Sequence, residues 1–118
     1  MKKAFTLPTC KTCTRIFDDL QPEQHGCVVV DIKAEGIAAE DLDKMKELEG
    51  SYEALFSRRA MKFRSMGLAD KNLTEADYRN LILEEYTFLK RPVFLFDDQV
   101  CAGSAKACVE AARAAMKG

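Results

Sequence analysis

The sequence predicts an α/β fold of order βαβ, helical insertion, ββα, built on a mixed four-stranded sheet. Three observations carry this. An apolar run stopped by proline, a stripe of period 3.6 and a valine-rich run read as strand, helix, strand within the first 32 residues. From Ala38 to Tyr86 the apolar spacing stays helical. Beyond Pro92, two short apolar runs around Asp97-Asp98 precede a last amphipathic stripe, which reads as a hairpin and a helix.

Each element has its own signal. In Lys3 to Leu7, Phe5 and Leu7 alternate and Pro8 stops the strand. Beyond Cys10, the residues Cys13, Ile16, Phe17 and Leu20 recur at i, i+3, i+4 and i+7, and Gln21-Pro22 closes that helix. Gly26 releases the chain into Cys27–Ile32, where Val28, Val29 and Val30 predict a strand buried on both faces and parallel to the first. Ala38 to Glu49 carries Leu42, Met45 and Leu48 at helical spacing, with Gly50 as the C-cap. From Tyr52 to Met66 the positions Tyr52, Leu55, Phe56, Ala60, Phe63 and Met66 are near helical spacing, and Ser57-Arg58-Arg59 divides them into two short helices. Thr74 and Asp77 form a capping box for a helix that runs to about Tyr86, with Tyr78, Leu81, Ile82 and Leu89 as its stripe. Val93 to Phe96 and Val100 to Ala102 are the hairpin strands. Ser104 is the expected N-cap of a final helix carrying Ala105, Cys108, Val109, Ala112 and Met116. The insertion at about 38–89 is expected to dock on the sheet as part of a single domain spanning 1–118.

At 118 residues, 47% hydrophobic and 31% charged, the composition is that of one globular domain. With 18 Lys and Arg against 19 Asp and Glu, the net charge of −1 supplies no field that draws the chain onto nucleic acid. No run approaches the roughly 18 apolar residues a membrane span needs. The opening apolar stretch is cut at Pro8 and Thr9, far short of a signal-peptide core. Five cysteines, at 10, 13, 27, 101 and 108, are an odd and scattered set, unlike a secreted disulfide framework. Reduced thiols and a cytoplasmic location are expected.

Cys10-Lys11-Thr12-Cys13 is a C-x-x-C where a strand gives way to a helix, inside a βαβ pattern. The first helical turn presents unpaired N–H groups and the positive end of the macrodipole, so a thiolate at Cys10 is stabilised there. Cys10 is the candidate nucleophile, with Lys11 adding positive charge. Cys13, one turn on and beside Ile16 and Phe17, is the candidate resolving thiol. The same pair also reads as half a zinc site or as plain structural cysteines. Zinc wants four ligands, and a single His25 in the loop before the second strand with no second C-x-x-C leaves no metal site to expect. His25 is expected at the surface. Cys27 and Cys108 read as small hydrophobes, while Cys101, two residues before Gly103, reads as either core or redox. The basic residues Arg58, Arg59, Lys62, Arg64 and Lys90-Arg91 form either a solvated face or an oxyanion site. Planar, bidentate donors suit an oxyanion, which makes Arg59 and Arg91 the candidates.

Pro8-Thr9-Cys10-Lys11-Thr12-Cys13, Leu55-Phe56-Ser57-Arg58-Arg59 with Met66-Gly67-Leu68, and Leu89-Lys90-Arg91-Pro92-Val93 together resemble the arsenate reductase-like (ArsC) branch of the thioredoxin superfamily. That branch also holds the Spx-type transcription regulators. The resemblance implies a thioredoxin-like core with a helical insertion, Cys10 as the reactive thiol, and Arg91 beside it before a cis Pro92. It further implies that Arg91 and Arg59 bind an oxyanion or a glutathionyl carboxylate. Glutaredoxin-coupled arsenate reductases look like C-x-x-S at the first turn, with another arginine shortly after the third strand. Here the matching stretch Gln99 to Ser104 has none. The phosphatase-like reductases with C-x₅-R are excluded, because Ile16 stands six residues after Cys10.

The function so implied is a glutaredoxin-like thiol-disulfide oxidoreductase of arsenate reductase type. It binds no cofactor and is restored by glutathione, glutaredoxin or thioredoxin. The alternative is a non-enzymatic Spx-type switch, in which oxidation of Cys10 and Cys13 alters a surface that binds RNA polymerase.

Overall fold

A computed structural model describes residues 2–117, among which four strands and six α-helices occur. In chain order these are β1 (Lys3–Thr6), α1 (Lys11–Leu20), β2 (Val28–Asp31), α2 (Ile32–Glu35), α3 (Ala39–Glu49), α4 (Met61–Ser65), α5 (Glu75–Glu84), β3 (Val93–Leu95), β4 (Val100–Ala102) and α6 (Lys106–Lys117). The chain forms two compact units. One joins the residues through Glu35 to those from Arg91 onward, and the other is Gly36–Lys90.

The first unit holds the whole sheet, in the order β2-β1-β3-β4. β1 runs parallel to β2 and antiparallel to β3, and β3 is antiparallel to β4, which is the mixed sheet expected. The register lines up Val29, Ala4, Phe94 and Cys101 across the four strands. Because side chains alternate along a strand, this row faces one side. It packs there with Ile16 and Leu20 of α1 and Ala112 and Met116 of α6. Phe17 adds a ring contact to Phe94 at 5.5 Å. Burying a side chain of this size is worth about 1.5–3 kcal/mol, so the i, i+3, i+4 stripe of each helix is what fixes it to the sheet.

The valine run departs from expectation. β2 is an edge strand, Val28 is 58% exposed, and Val29 and Val30 are half-buried. Three valines report β preference and not two-sided burial. Ile32, read as the end of that strand, instead opens the short helix α2, where Asp31 accepts the Lys33 and Ala34 N–H groups. Ser104 stands one residue too early to cap α6. Ala105 takes that place, and its carbonyl accepts the Val109 N–H.

The second unit is helical. α3 ends at Gly50, whose N–H donates to the Lys46 carbonyl. A single 3₁₀ turn at Glu53–Leu55 and the five-residue α4 replace the two short helices, and the polar joint between them is a turn. Phe56 stacks on Phe88 at 4.9 Å and meets Tyr78 edge-on at 4.9 Å. Met66, placed by spacing on the apolar stripe, is 45% exposed. The Thr74 capping box is complete in both directions. Its helix stops at Glu84, however, and Leu89 lies beyond a further 3₁₀ turn, bridged to Phe56.

Candidate active site

The end of β1 and the start of α1 are joined by Leu7-Pro8-Thr9-Cys10, a turn closed by the Cys10 N–H donating to the Leu7 carbonyl at 2.9 Å. Cys10 takes an extended conformation (φ −88°, ψ 116°) at the N-cap of α1. Its carbonyl accepts the Thr14 N–H at 3.1 Å, which begins the helical ladder. The Sγ of this half-buried residue makes no capping hydrogen bond. Partial burial alone would raise its pKa. The Cys13 N–H, the Cys13 thiol and the Arg91 guanidinium outweigh that and hold Cys10 below the ordinary thiol value. Cys13 is fully buried one turn on. Burial pushes its thiol up and the neighbouring Cys10 sulfur adds to this, against the Leu7 N–H and the Thr6 hydroxyl. The two sulfurs are therefore driven apart in acidity. One is poised to ionise, and the other to stay protonated beside it.

Arg91 is the first residue of the chain's return to the sheet unit, half-buried, with its Nε inside the protein. The Arg91–Pro92 peptide is cis, and Pro92 is buried, its carbonyl accepting the Gly103 N–H at 2.9 Å. Cys10, Cys13, Arg91 and Pro92 thus belong to one unit. Arg59 belongs to the other, exposed in the turn before α4, and no hydrogen bond or ion pair engages it among the described residues. Its neighbour Arg58 is committed instead to Glu53 at 2.8 Å and the Tyr78 hydroxyl at 2.9 Å.

The remaining cysteines fall inside the fold. Cys27 and Cys101 join the core cluster, so of the two readings of Cys101 the packing matches core. Cys108 donates to the Ala102 carbonyl at 3.4 Å. None of the five cysteines is in a disulfide. His25 is half-buried at the end of a 3₁₀ turn, less exposed than expected. Among the described residues no three His, Cys, Asp or Glu side chains come together as a metal site, and no helix is long and apolar enough to cross a membrane.

The profile of the ArsC family matches residues 5–112. No curated protein matches significantly. Among solved structures, the chain is similar to an arsenate reductase (ArsC) related protein from Brucella melitensis, at 29% identity and a TM-score of 0.68 over 93% of this chain and 92% of that one. It is similar to a possible arsenate reductase from Streptococcus mutans at 25% identity and a TM-score of 0.70, over 85% and 87% of the two chains. An arsenate reductase from Vibrio cholerae shares the fold with a TM-score of 0.78 over 93% and 95%, at 15% identity.

Proposed function

The chain belongs to the ArsC family and has its thioredoxin-like fold, and from that premise we propose that it is a thiol-dependent reductase working through Cys10 and Cys13. The observation that carries the reading is the Cys10 sulfur at the mouth of α1, held below the ordinary thiol pKa by Cys13 and Arg91. A thiolate, not a thiol, is the attacking species.

In the proposed cycle the Cys10 thiolate attacks one sulfur of an oxidised substrate, and the other leaves as a thiolate. Cys13 then displaces the remaining half and closes a Cys10–Cys13 disulfide. Glutathione, glutaredoxin or thioredoxin reopens it. With arsenate, Arg91 holds the oxyanion while Cys10 displaces an oxygen, and the external thiol supplies the electrons. The C-x-x-C favours dithiol chemistry, since a second thiol is available where glutaredoxin-coupled arsenate reductases look like C-x-x-S.

Turnover with a disulfide substrate and with arsenate, each with glutathione and glutaredoxin, tests this. Cys10→Ser is expected to lose activity entirely, and Cys13→Ser to accumulate a mixed disulfide at Cys10. Equal rates for Cys10→Ser and the unmodified protein reject a catalytic Cys10. A regulatory reading, in which oxidation of this pair alters binding to RNA polymerase, is favoured by the same C-x-x-C. It predicts oxidation that is stoichiometric, without turnover, and polymerase binding that follows the redox state of the pair.

A further inference from the structure

The outer face of α1 carries a trough of about 380 Å³ beside Cys10, lined by Pro8, Thr9, Lys11, Thr14, Arg15 and Asp18. Its lining flanks Cys10 on both sides along the chain, and Thr14 Oγ1 ties it to that residue by donating to the Cys10 carbonyl at 3.2 Å. The helical members stand at i, i+3, i+4 and i+7, the stripe opposite the buried Cys13, Ile16 and Leu20. Lys11 and Arg15 are exposed, and no ion pair or hydrogen bond engages either side chain among the described residues. By contrast, Arg58, Lys62, Arg79 and Arg113 each hold a carboxylate. Two uncompensated cations therefore follow Cys10 by one and five residues. Asp18 marks the far end of the trough, about 10 Å along the helix from Lys11.

Every lining residue comes from α1 or the turn before it, which leaves the trough one-sided. A small-molecule site encloses most of its ligand, whereas a one-sided trough suits a chain laid across it. Lys11 and Arg15 are one turn apart, about 6 Å along the axis. Residues i and i+2 of an extended chain point to the same side and are about 6.5 Å apart. The two spacings match, so carboxylates at i and i+2 each meet a cation, while Asp18 repels a third placed further out.

We propose that this trough docks a protein partner of the thiol exchange, taking an extended acidic segment beside the partner's reactive cysteine, with carboxylates two residues apart on Lys11 and Arg15. This deepens the reductase reading and rests on it. In the exchange the Cys10 thiolate attacks the partner's cysteine sulfur within a disulfide. A bond forms between those two sulfurs, and the partner's original S–S bond breaks. The displaced sulfur leaves as a thiolate and takes a proton from solvent. One disulfide replaces another, with no net gain or loss of electrons. The ion pairs select and hold the segment and take no part in the bond changes.

Cysteine peptides activated as 2-pyridyl disulfides test this, because attack by Cys10 releases coloured pyridine-2-thione, an uncharged product that does not compete for the cations. A peptide with glutamates two residues apart, within four residues of its cysteine, is expected to react about tenfold faster at low salt than its lysine counterpart. The glutamine version should fall between, and the advantage should shrink as salt rises. Arg15→Glu is expected to abolish or reverse the order. Every peptide meets the same sulfur, so the ratio of rates is insensitive to a change in the acidity of Cys10. Moving both glutamates beyond the sixth residue should return the rate to the glutamine value. Equal rates for the three peptides, an order that Arg15→Glu leaves unchanged, or an advantage that follows peptide charge whatever its position overturns the docking role. Glutathione carried as the same disulfide and reacting faster than the acidic peptide gives the trough to a small tripeptide, and overturns the protein partner. A protein that reacts with none of the peptides, or no faster than Cys10→Ser, overturns the thiol reading itself and this inference with it.

Discussion

Arg91 and Cys13 pull the Cys10 thiol in the same direction, so removing the cation exposes how much of the shift is its own. Arg91→Ala is expected to raise the midpoint of the pH dependence of Cys10 alkylation by iodoacetamide, with Arg91→Lys falling between. An unmoved midpoint means the helix end and Cys13 suffice. Asp43 offers a second titration. Arg79 grips it through Nε at 2.8 Å and through its second nitrogen at 3.2 Å, and the Tyr52 hydroxyl donates to it at 2.6 Å. These bonds hold its pKa at about 2. A carboxylate depressed in the folded state adds stability that is complete above its unfolded pKa of about 3.9. That contribution is lost as pH falls through the folded value of about 2. Asp43→Asn should flatten acid unfolding in that window, followed by circular dichroism, and an unchanged slope would show that the bonds exchange with water at no net gain.

The capping box of α5 satisfies two backbone donors at once, the Asp77 N–H by Thr74 Oγ1 and the Thr74 N–H by Asp77 Oδ2. Thr74→Ala should therefore cost about 1 kcal/mol in urea unfolding. Phe56, fully buried between Phe88 and Tyr78, should cost about 3–5 kcal/mol as alanine, because the rings around it cannot close the space. These elements were legible for a reason: Thr74-x-x-Asp77 and the stripes of α1 and α6 are local patterns with local causes. β2 was not, because whether a strand is central or at an edge depends on partners far along the chain. The same limit applies to the site. The place of Cys10 follows from a strand running into a helix, while the contact of Arg91 with it spans 81 residues of chain and came only through resemblance.

At the scale of the molecule, charge is balanced and part of the cationic surface is held in ion pairs. Arg58, Lys62, Arg79 and Arg113 each hold a carboxylate. With a net charge of −1, the protein should pass through a heparin column at physiological salt without delay, and retention would reveal a basic patch stronger than these pairings leave. The sheet order adds one more consequence. β1 is hydrogen-bonded on both sides, to β2 and to β3, and Cys10 follows it by four residues. The proposed nucleophile is thus moored to the strand whose amides should exchange last. Warming should not blunt the sulfur ahead of the scaffold. Its chemistry should persist almost undiminished up to the melting transition and vanish there in one step, so that the thiol serves as a built-in thermometer for the intact sheet.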